Sequence, residues 1–502
     1  MSYSGDASGT GKGSYGGGTT ATTFLTEMES SSGESDDDGK KGKKKGKKKG
    51  KKKKGKRKSR FIELDESALI EMLGDNKYHQ VNEGEPGDDE YQIGREGVKL
   101  GSYDDYVLNL TTPIAAGHTS QVYLAYKAGE APQEDSKSNK KKNKKKNKKK
   151  KGKKGLPPPA EEGAIVAKVM VEEQVQADKK AFWAEAKFLQ ILADKPNVIK
   201  LFDVLATPKQ QILMLEYVHN ATPLRNLSSP DDLEFIVLRL TQALKACHAA
   251  GIIHQDVKPG NILVTLPSPE FPNMERSLRL IDFGYSSFYH HGEPRKSFAG
   301  TPTFKAPELI MHLPYYSYSV DLWAVGIIVA RAIFKSGTFD RKFVHKRGET
   351  DRITRYQKLM VRVIQLLGLD DYAEWIEAMG LERSKNWSVS AMAAHGATNT
   401  SRIKWKKRVT KALRPFGSDH AIDLVDTILR FSPGDRPTSY DLLKHPYLKA
   451  AAKKFGRGSA DAEEESGKGK GKGKGKGKGK GKDKGKDKGK GKDKGKGKKS
   501  SS

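Results

Sequence analysis

A short stretch of charged and amide side chains carries the strongest chemical signal in this sequence. Asp256, Lys258 and Asn261 lie close together in the chain, and Asp282 follows the largely apolar segment 278–281. Carboxylate and amide oxygens are ligands that suit Mg²⁺, a hard cation. A carboxylate can also accept a proton from a hydroxyl group. These residue types suit phosphoryl transfer, a reaction that depends mostly on positioning and on charge neutralisation.

The same residues belong to a longer ordered pattern. The chain reads HQDVKPGN at 254–261, DFG at 282–284 and APE at 306–308. This order resembles the motif set of the protein kinases. Each motif is weak alone, but three in the right order are specific.

The resemblance implies a role for each residue. Asp256 would orient the substrate hydroxyl and accept its proton, and Lys258 would steady the transferring phosphoryl group. Asn261 and Asp282 would hold Mg²⁺, and Asp282 would also contact the bound nucleotide.

A lysine and a glutamate further upstream would complete the catalytic set. Lys168, in VAKV, would bind the α and β phosphates of ATP, and Glu185 would hold that lysine. Glu185 shares a helix face with Phe182, Phe188 and Leu189, and a carboxylate among apolar neighbours needs a cation. Alone, Lys168 and Glu185 would each be ordinary surface charges; within the ordered set, the catalytic interpretation is favoured.

Further residues are expected to enclose the nucleotide. The stretch AAGHTSQV offers Ala115, Gly117 and Ser120 as a phosphate loop, although Ala and Ser resist the positive φ angles that glycine accepts. The adenine is expected to contact Val122, Ala167, Leu263 and the hinge residues Glu216 and Val218.

Other residues of the motifs are predicted to be structural. His254 should pack beneath Phe283, and Asp321 should be buried and accept N–H groups of the catalytic loop. Glu308 and Arg436 should form a buried ion pair.

The elements that position these residues indicate an α+β chain with two unequal lobes. Strands come first and helices afterwards, with a mostly helical pattern from 321 to 448. The expected fold is the two-lobed kinase fold, with a small β-rich N-lobe and a large helical C-lobe. The predicted strands are 106–110, 121–127, 164–170, 211–218 and 278–281, and the predicted helices include 175–192 and 233–250.

Composition separates this foldable part from basic extensions. The chain has 502 residues and a net charge of +31, yet the lysine-rich runs at 40–60, 137–154 and 467–499 together carry +43, so the remainder carries −12. Such runs cannot bury a core. A single cysteine, Cys247, excludes a disulfide framework and is expected in the core, and no apolar run is long enough to span a membrane.

These observations predict four regions. Residues 1–60 are expected to be disordered, acidic and then lysine-rich, and 61–105 to form an N-terminal extension. The kinase domain is predicted over 106–448 with a lysine-rich insert at 128–163, followed by a disordered Gly/Lys tail at 449–502. The lysine runs could bind nucleic acid or acidic proteins without sequence specificity, or be functionless solvated segments. KKKKGKRK is similar to a nuclear import signal, so the expected location is the nucleus, the cytoplasm or both.

In finer detail, the chain resembles the catalytic (alpha) subunit of casein kinase II from about residue 105 to 448, without the insert. The resemblance rests on stretches such as DDYVLNL, LEYVHNATPLRNL, LKACHAAGIIHQDVKPGN, LRLIDFGYSSFYHHG and FKAPELI. It implies a serine/threonine kinase that uses ATP with Mg²⁺ and prefers targets with acidic residues. It also implies a regulatory beta subunit as a partner.

The chain departs from that family at several positions. Gln255 replaces an arginine that usually pairs with the activation segment, and Pro302 occupies a basic position. Lys305 matches a substrate-contacting lysine, and Arg295 and Lys296 are candidates to compensate for Pro302. Two alternatives therefore stay open: a kinase of the same group with different specificity, and a pseudokinase scaffold that holds acidic partners or nucleic acid through its basic tails.

Overall fold

A computed structural model describes most of the chain between residues 98 and 456. The described residues are 98–108, 110–117, 120–130, 163–170, 179–207, 210–224, 227–295, 297–334, 352–409 and 415–456. The predictions for 1–97 and for 457–502 therefore lie outside the described residues, as do those for most of the 128–163 insert. The predicted start of the disordered tail at 449 is wrong, because a helix that begins at Pro446 continues to Phe455. Within the described ranges, no helix has both the length and the apolar character needed to cross a membrane.

The N-lobe is built on one antiparallel sheet of six strands. The strands are β1 (Tyr106–Leu108), β2 (Ala115–Ala116), β3 (Ser120–Lys127), β4 (Ala164–Met170), β5 (Leu201–Ala206) and β6 (Gln211–Glu216). Their order is β1-β3-β4-β6-β5, with β2 paired to β3. The hydroxyl of Tyr106 donates to Asp203, which joins the two end strands and shows that the sheet is curled.

The two faces of this sheet enter different parts of the core. Ala125, Ile165, Ala167 and Met214 belong to a small buried cluster. Leu215 and its neighbours on the other face belong to the main core of the protein. This division follows from the strand geometry, because successive side chains point to opposite faces.

Helix α1 (Lys179–Ile191) carries Glu185, and the extended segment before β1 holds that helix from outside. The side chain of Gln190 on α1 donates to the carbonyl of Lys99 at 2.9 Å and accepts the N–H of Lys99 at 3.2 Å. Val98, next to Lys99, is buried in the main core. The structure therefore ties the N-terminal segment to the helix that carries the predicted ion pair.

Helix α2 (Pro230–Ala249) opens the C-lobe and begins three residues earlier than its apolar pattern predicts. The side chain of Ser229 accepts the N–H of Asp232, and Asp232 accepts the N–H of Ser229 in return, which forms a capping box. Gly251 follows the helix with φ of +72°, a conformation that favours glycine. The predicted stop at Gly251 is therefore confirmed.

The remaining helices form the body of the C-lobe. Helix α4 (Ser319–Ile333) is buried almost throughout, and a Cβ added at its Gly326 would lie 2.7 Å from Ile428, so glycine permits this close crossing. The helices are α3 (Pro307–Ile310), α4 (Ser319–Ile333), α5 (Arg352–Leu367), α6 (Leu369–Ala378), α7 (Val389–Ala394), α8 (Asp419–Ile428), α9 (Ser439–Leu443) and α10 (Pro446–Phe455).

Short strands at the top of the C-lobe position the predicted chemistry. They are β7 (Thr222–Pro223), β8 (Ile252–Ile253), β9 (Ile262–Thr265), β10 (Ser277–Leu280) and β11 (Ser287–Phe288). The catalytic loop 254–261 lies between β8 and β9, and the 282–284 motif follows β10. The predicted α+β fold, a β-rich N-lobe with a helical C-lobe, is confirmed.

Candidate active site

The catalytic loop is held from below by a buried carboxylate. Asp321 accepts the backbone N–H groups of His254 and Gln255, each at 2.8 Å, and lies 3.1 Å from the His248 ring. Gln255 has φ of +64°, which is unusual for a residue other than glycine. These hydrogen bonds stabilise that strained backbone, and the predicted role of Asp321 is confirmed.

Donors surround the carboxylate of Asp256. Its Oδ2 accepts Lys258 Nζ in a close ion pair and Asn261 Nδ2 at 3.1 Å. Its Oδ1 accepts the backbone N–H of Thr301 at 2.8 Å and the hydroxyl of Thr301 at 2.7 Å. These bonds orient the carboxylate, and its Oδ1 already accepts an aliphatic hydroxyl.

The predicted ion pair of Lys168 and Glu185 is formed within the N-lobe, and the same lysine also contacts Asp282 of the C-lobe. Lys168 Nζ lies 2.7 and 2.8 Å from the two carboxylate oxygens of Glu185 and 2.9 Å from Asp282 Oδ1. Burial lowers the pKa of Lys168, but the two carboxylates outweigh burial and raise that pKa above its usual range. Lys168 is therefore a permanent cation at the cleft.

Asp282 turns toward this lysine through an unusual backbone. Its φ is +68°, and Phe283 beside it donates its N–H to Glu185 Oε1 at 3.3 Å. Burial raises the pKa of Asp282, yet Lys168 outweighs burial, so the pKa lies below its ordinary value. The Phe283 ring packs on His254 with centroids 4.8 Å apart, which confirms that predicted contact.

Asn261 and Asp282 have the chemistry of a magnesium site. The amide nitrogen of Asn261 donates to the carbonyl and the carboxylate of Asp256, so its amide oxygen is the group left to bind a cation. Among the described residues, no group of three or more His, Cys, Asp or Glu side chains could hold a metal. A divalent ion at Asn261 and Asp282 would therefore complete its shell with phosphate oxygens and water, as Mg²⁺ commonly does.

The structure places the predicted phosphate loop at the turn between β2 and β3. Ala115 pairs with Val122, and Val122 pairs on its other side with Lys168. Gly117 donates its N–H to the carbonyl of Ser120 at 2.9 Å. Ser120 itself is buried. Val122 therefore lies beside Lys168 and Ala115 lies one strand further away, and the contacts of the four predicted residues with a nucleotide stay predictions.

One predicted nucleotide contact, Ala167, lies on the wrong face of the sheet. Ala167 is fully buried in the small cluster on the face opposite Lys168. Val166 is on the same face as Lys168 and packs against the main core with its partner Leu215. Side chains alternate along a strand with a period of two, so Val166, and not Ala167, lies on the face of Lys168, where the nucleotide contact was predicted. The alternation pattern alone could have identified Val166.

The hinge residues follow the end of β6. The side chain of Glu216 accepts the guanidinium of Arg279 at 2.8 Å, so this carboxylate braces the back of the hinge. The carbonyl of Val218 accepts the N–H of Ala221 at 3.2 Å. Leu263 lies on β9, opposite Pro223 of β7. The structure therefore places Glu216, Val218 and Leu263 in the short strands and turns where the lobes join.

Two further structural predictions are confirmed. Arg436 donates to both carboxylate oxygens of Glu308 at 2.6 and 2.8 Å, and neither side chain is exposed. This pair ties the 306–308 motif to the base of the C-lobe. Cys247 is buried in the main core, where burial raises its pKa.

The basic residues expected near the substrate are engaged inside the protein. Arg295 is buried and donates to the carbonyls of Tyr316, Phe288 and His290 at 2.7, 2.9 and 3.2 Å. Lys305 is buried and donates to the carbonyl of Phe298 at 2.5 Å. Lys296 lies outside the described residues. Arg295 and Lys305 therefore brace the segment between the 282–284 and 306–308 motifs.

Sequence reasoning missed two of the residues at this site. Thr301 has no assigned role in the sequence motifs, but its hydroxyl binds Asp256. Tyr316 was not singled out, although its hydroxyl accepts Gln255 Nε2 at 2.5 Å. No local pattern could have identified these contacts, because their partners are 45 and 61 residues away.

A family model of the protein kinase domain matches residues 159–448, which is more than half of the chain. The matched range contains Lys168 and Glu185, the catalytic loop and the 282–284 motif. The match is to the protein kinase domain in general, and it does not select the casein kinase II alpha subunit.

Proposed function

Since this chain belongs to the protein kinase family, we propose that it uses ATP with Mg²⁺ to phosphorylate serine and threonine residues of proteins. One observation carries the proposal. The interlobe cluster of Lys168, Glu185 and Asp282 is assembled at 2.7 to 2.9 Å. This arrangement places a cation and a metal-binding carboxylate together at one cleft.

The residues of the chain divide the reaction between them. A substrate hydroxyl would replace the Thr301 hydroxyl at Asp256 Oδ1 and give its proton to that carboxylate. Its oxygen would bond to the γ-phosphorus as the bond to the bridging oxygen of ADP breaks. Lys258, paired with Asp256, would balance charge on the transferring group. Mg²⁺ held by Asn261 and Asp282 would neutralise the phosphate oxygens.

The contact of Thr301 supports aliphatic hydroxyls as acceptors. Both the N–H and the hydroxyl of Thr301 bind Asp256 Oδ1, at 2.8 and 2.7 Å. Peptide backbone can therefore approach this carboxylate closely, which a short serine or threonine side chain requires. A tyrosine acceptor would hold its backbone much farther away.

Two substitutions test the assignment of roles. Asp256→Asn removes the proton acceptor, and Lys168→Met removes the interlobe cation. Each should lower phosphate transfer to a protein substrate by about 10²- to 10⁴-fold. Lys449→Met, at an exposed lysine on α10, is the matched control and should keep normal activity. Transfer at the normal rate by either active-site variant would refute the assigned roles, and label on tyrosine alone would refute the choice of serine and threonine.

Preference for acidic targets is a finer proposal that rests on the resemblance to casein kinase II. A specific observation favours a second candidate, a kinase of the same group with a different preference. Arg295 and Lys305 are buried and bind carbonyls, so they are not offered to an acidic peptide. Peptides that differ only in acidic residues after the acceptor separate the two candidates. A preference of about tenfold for the acidic peptide would support a kinase that prefers acidic targets. No preference would support a kinase of the same group with a different specificity.

The pseudokinase alternative has less support. The cation, both carboxylates and the catalytic loop form the contacts that phosphate transfer needs. A beta-type regulatory subunit, binding of nucleic acid or acidic proteins by the lysine runs, and a nuclear or cytoplasmic location remain proposals from the sequence. Thermal unfolding with and without Mg-ATP tests for a functional nucleotide site, because a ligand at about 100 times its Kd stabilises by about 2.7 kcal/mol.

A further inference from the structure

We propose that Tyr316 is a positioning residue for phosphate transfer, because its hydroxyl joins the catalytic loop to the segment that contacts Asp256. Gln255 Nε2 donates to the Tyr316 hydroxyl at 2.5 Å, and that hydroxyl donates to the carbonyl of Ser297, also at 2.5 Å. The inference rests on the proposed function and deepens it. It says that a neutral hydrogen-bonded link joins this segment to the catalytic loop, so that activity does not require a phosphate on Ser297.

The link closes a ring around the catalytic carboxylate. Gln255 directly precedes Asp256, and Ser297 lies four residues before Thr301. Thr301 in turn binds Asp256 through its N–H and its hydroxyl. A shift of the segment would therefore move Thr301 and disturb the carboxylate at the same time.

A close backbone contact shows how tightly the segment lies on the loop. A Cβ added at Gly300 would lie 2.5 Å from the carbonyl oxygen of Gln255, and Gly300 has φ of +106°. Only glycine accepts this conformation without strain. The segment is thus in contact with the catalytic loop at Gly300, between Ser297 and Thr301.

The hydrogen bonds run in one direction and are shielded from water. Gln255 and Tyr316 are 6% and 1% exposed. The amide donates to the phenol, and the phenol donates to the carbonyl, so each bond polarises the next. Burial raises the pKa of Tyr316 to about 12, so the phenol keeps its proton at neutral pH. The phenol can therefore donate to the Ser297 carbonyl throughout the neutral pH range.

Arg295 supports Tyr316 from the other side. Its Nε donates to the carbonyl of Tyr316 at 2.7 Å, and its guanidinium lies 5.2 Å from the Tyr316 ring centroid and 5.0 Å from that of Tyr289. The partner on the catalytic loop is Gln255, which carries no charge and so cannot attract a phosphate as an arginine would. These contacts thus hold the segment in place without a phosphate group.

The test compares two buried tyrosines. Tyr316→Phe should lower kcat/KM for a protein substrate about tenfold, because it removes one hydrogen bond and leaves the Gln255 amide unpaired. Tyr289→Phe is the matched control, since its ring packs on the same guanidinium but its hydroxyl lies 3.4 Å from His291 in its own segment. That variant should keep normal kcat/KM. Mg-ADP affinity, measured by calorimetry, should be unchanged in both, whereas general loss of structure would weaken it.

A double-mutant cycle tests the link itself. Gln255→Leu should lower kcat/KM by a similar factor, and the double variant with Tyr316→Phe should be no worse than either single variant, because one link is removed in each case. Additive losses would show that the two residues act separately and would overturn the inference.

Ser297→Ala separates the carbonyl from the hydroxyl. This variant keeps the accepting carbonyl but cannot carry a phosphate, so its activity should stay within about twofold of normal. A large loss with Ser297→Ala, or normal activity with Tyr316→Phe, would overturn the inference. Both outcomes leave the proposed function intact. If the unaltered protein transfers no phosphate to any protein substrate, the proposed function fails, and this inference fails with it.

Discussion

Replacement of Glu185 by glutamine should disable catalysis and leave the protein folded. Glu185 is 4% exposed, and its two oxygens lie 2.7 and 2.8 Å from Lys168 Nζ. Glutamine has almost the same shape, but it turns one of these acceptors into a donor that faces the ammonium group. The ammonium group then has Asp282 as its remaining carboxylate in this cluster, and it competes with a metal ion for that residue.

The size of the effect follows from the burial of the pair. Removal of one partner from a buried ion pair costs about 3–5 kcal/mol. Asp282 remains 2.9 Å from the same ammonium group, so the lower end applies, about 3 kcal/mol. In the folded variant this cost falls on the arrangement of Lys168 and Asp282 in the cleft that phosphate transfer requires. At about 1.4 kcal/mol per factor of ten, kcat/KM should therefore fall by about 100-fold.

Steady-state phosphate transfer to a protein substrate measures this loss, and thermal unfolding shows whether the variant is folded. Asp232→Asn is the matched control, because Asp232 is also buried and pairs with Arg276 at 3.2 Å, but at the start of α2. It should lose stability and keep its activity per folded molecule. More than half of the normal kcat/KM in Glu185→Gln, or an equal loss in the control, would refute the reasoning.

Three further predictions concern stability and the segment that lies on the catalytic loop. Glu308→Gln should lower the free energy of unfolding by about 3–5 kcal/mol in urea titrations, because the fully buried Arg436 would lose its carboxylate partner; a change below about 1 kcal/mol would contradict this. Gly300→Ala should lower kcat/KM and the Tm together, since its Cβ would meet the Gln255 carbonyl at 2.5 Å; normal kinetics would contradict the close contact. Burial raises the pKa of Tyr372 above the value near 10 that it has when unfolded, so its contribution to stability is constant at neutral pH and is lost as the pH rises above about 10. Thermal unfolding at increasing alkaline pH should show this loss, and the loss should be smaller in Tyr372→Phe.

Much of the local structure could be predicted because its signals are local. Strand β4 is described over the predicted range, Ala164–Met170, and its largely apolar residues begin directly after Gly163. Helix α2 starts earlier than its apolar pattern predicts, because the capping box of Ser229 and Asp232 sets its first turn. The prediction of Ala167 as a nucleotide contact could have been corrected from the sequence alone, because the alternation of side chains along β4 excludes Ala167 from the face of Lys168.

The sequence by itself identified the groups that are proposed to do the chemistry. Asp256, Lys258 and Asn261 come from one loop, in which Lys258 and Asn261 both donate to Asp256. The order of the motifs likewise identified Lys168 and Glu185, and their predicted ion pair is formed. Residue type and spacing along the chain were enough for these inferences, and the catalytic roles stay predictions.

Only the tertiary structure decided how those groups are held. It placed the Thr301 hydroxyl on Asp256 and linked Gln255 to Tyr316. It also turned Lys305 inward, to a carbonyl of its own segment, although its position in the sequence indicated a substrate contact. The physical reason is that the direction of a side chain depends on which surfaces pack against its backbone. Where those surfaces come from distant parts of the chain, no local pattern records the outcome.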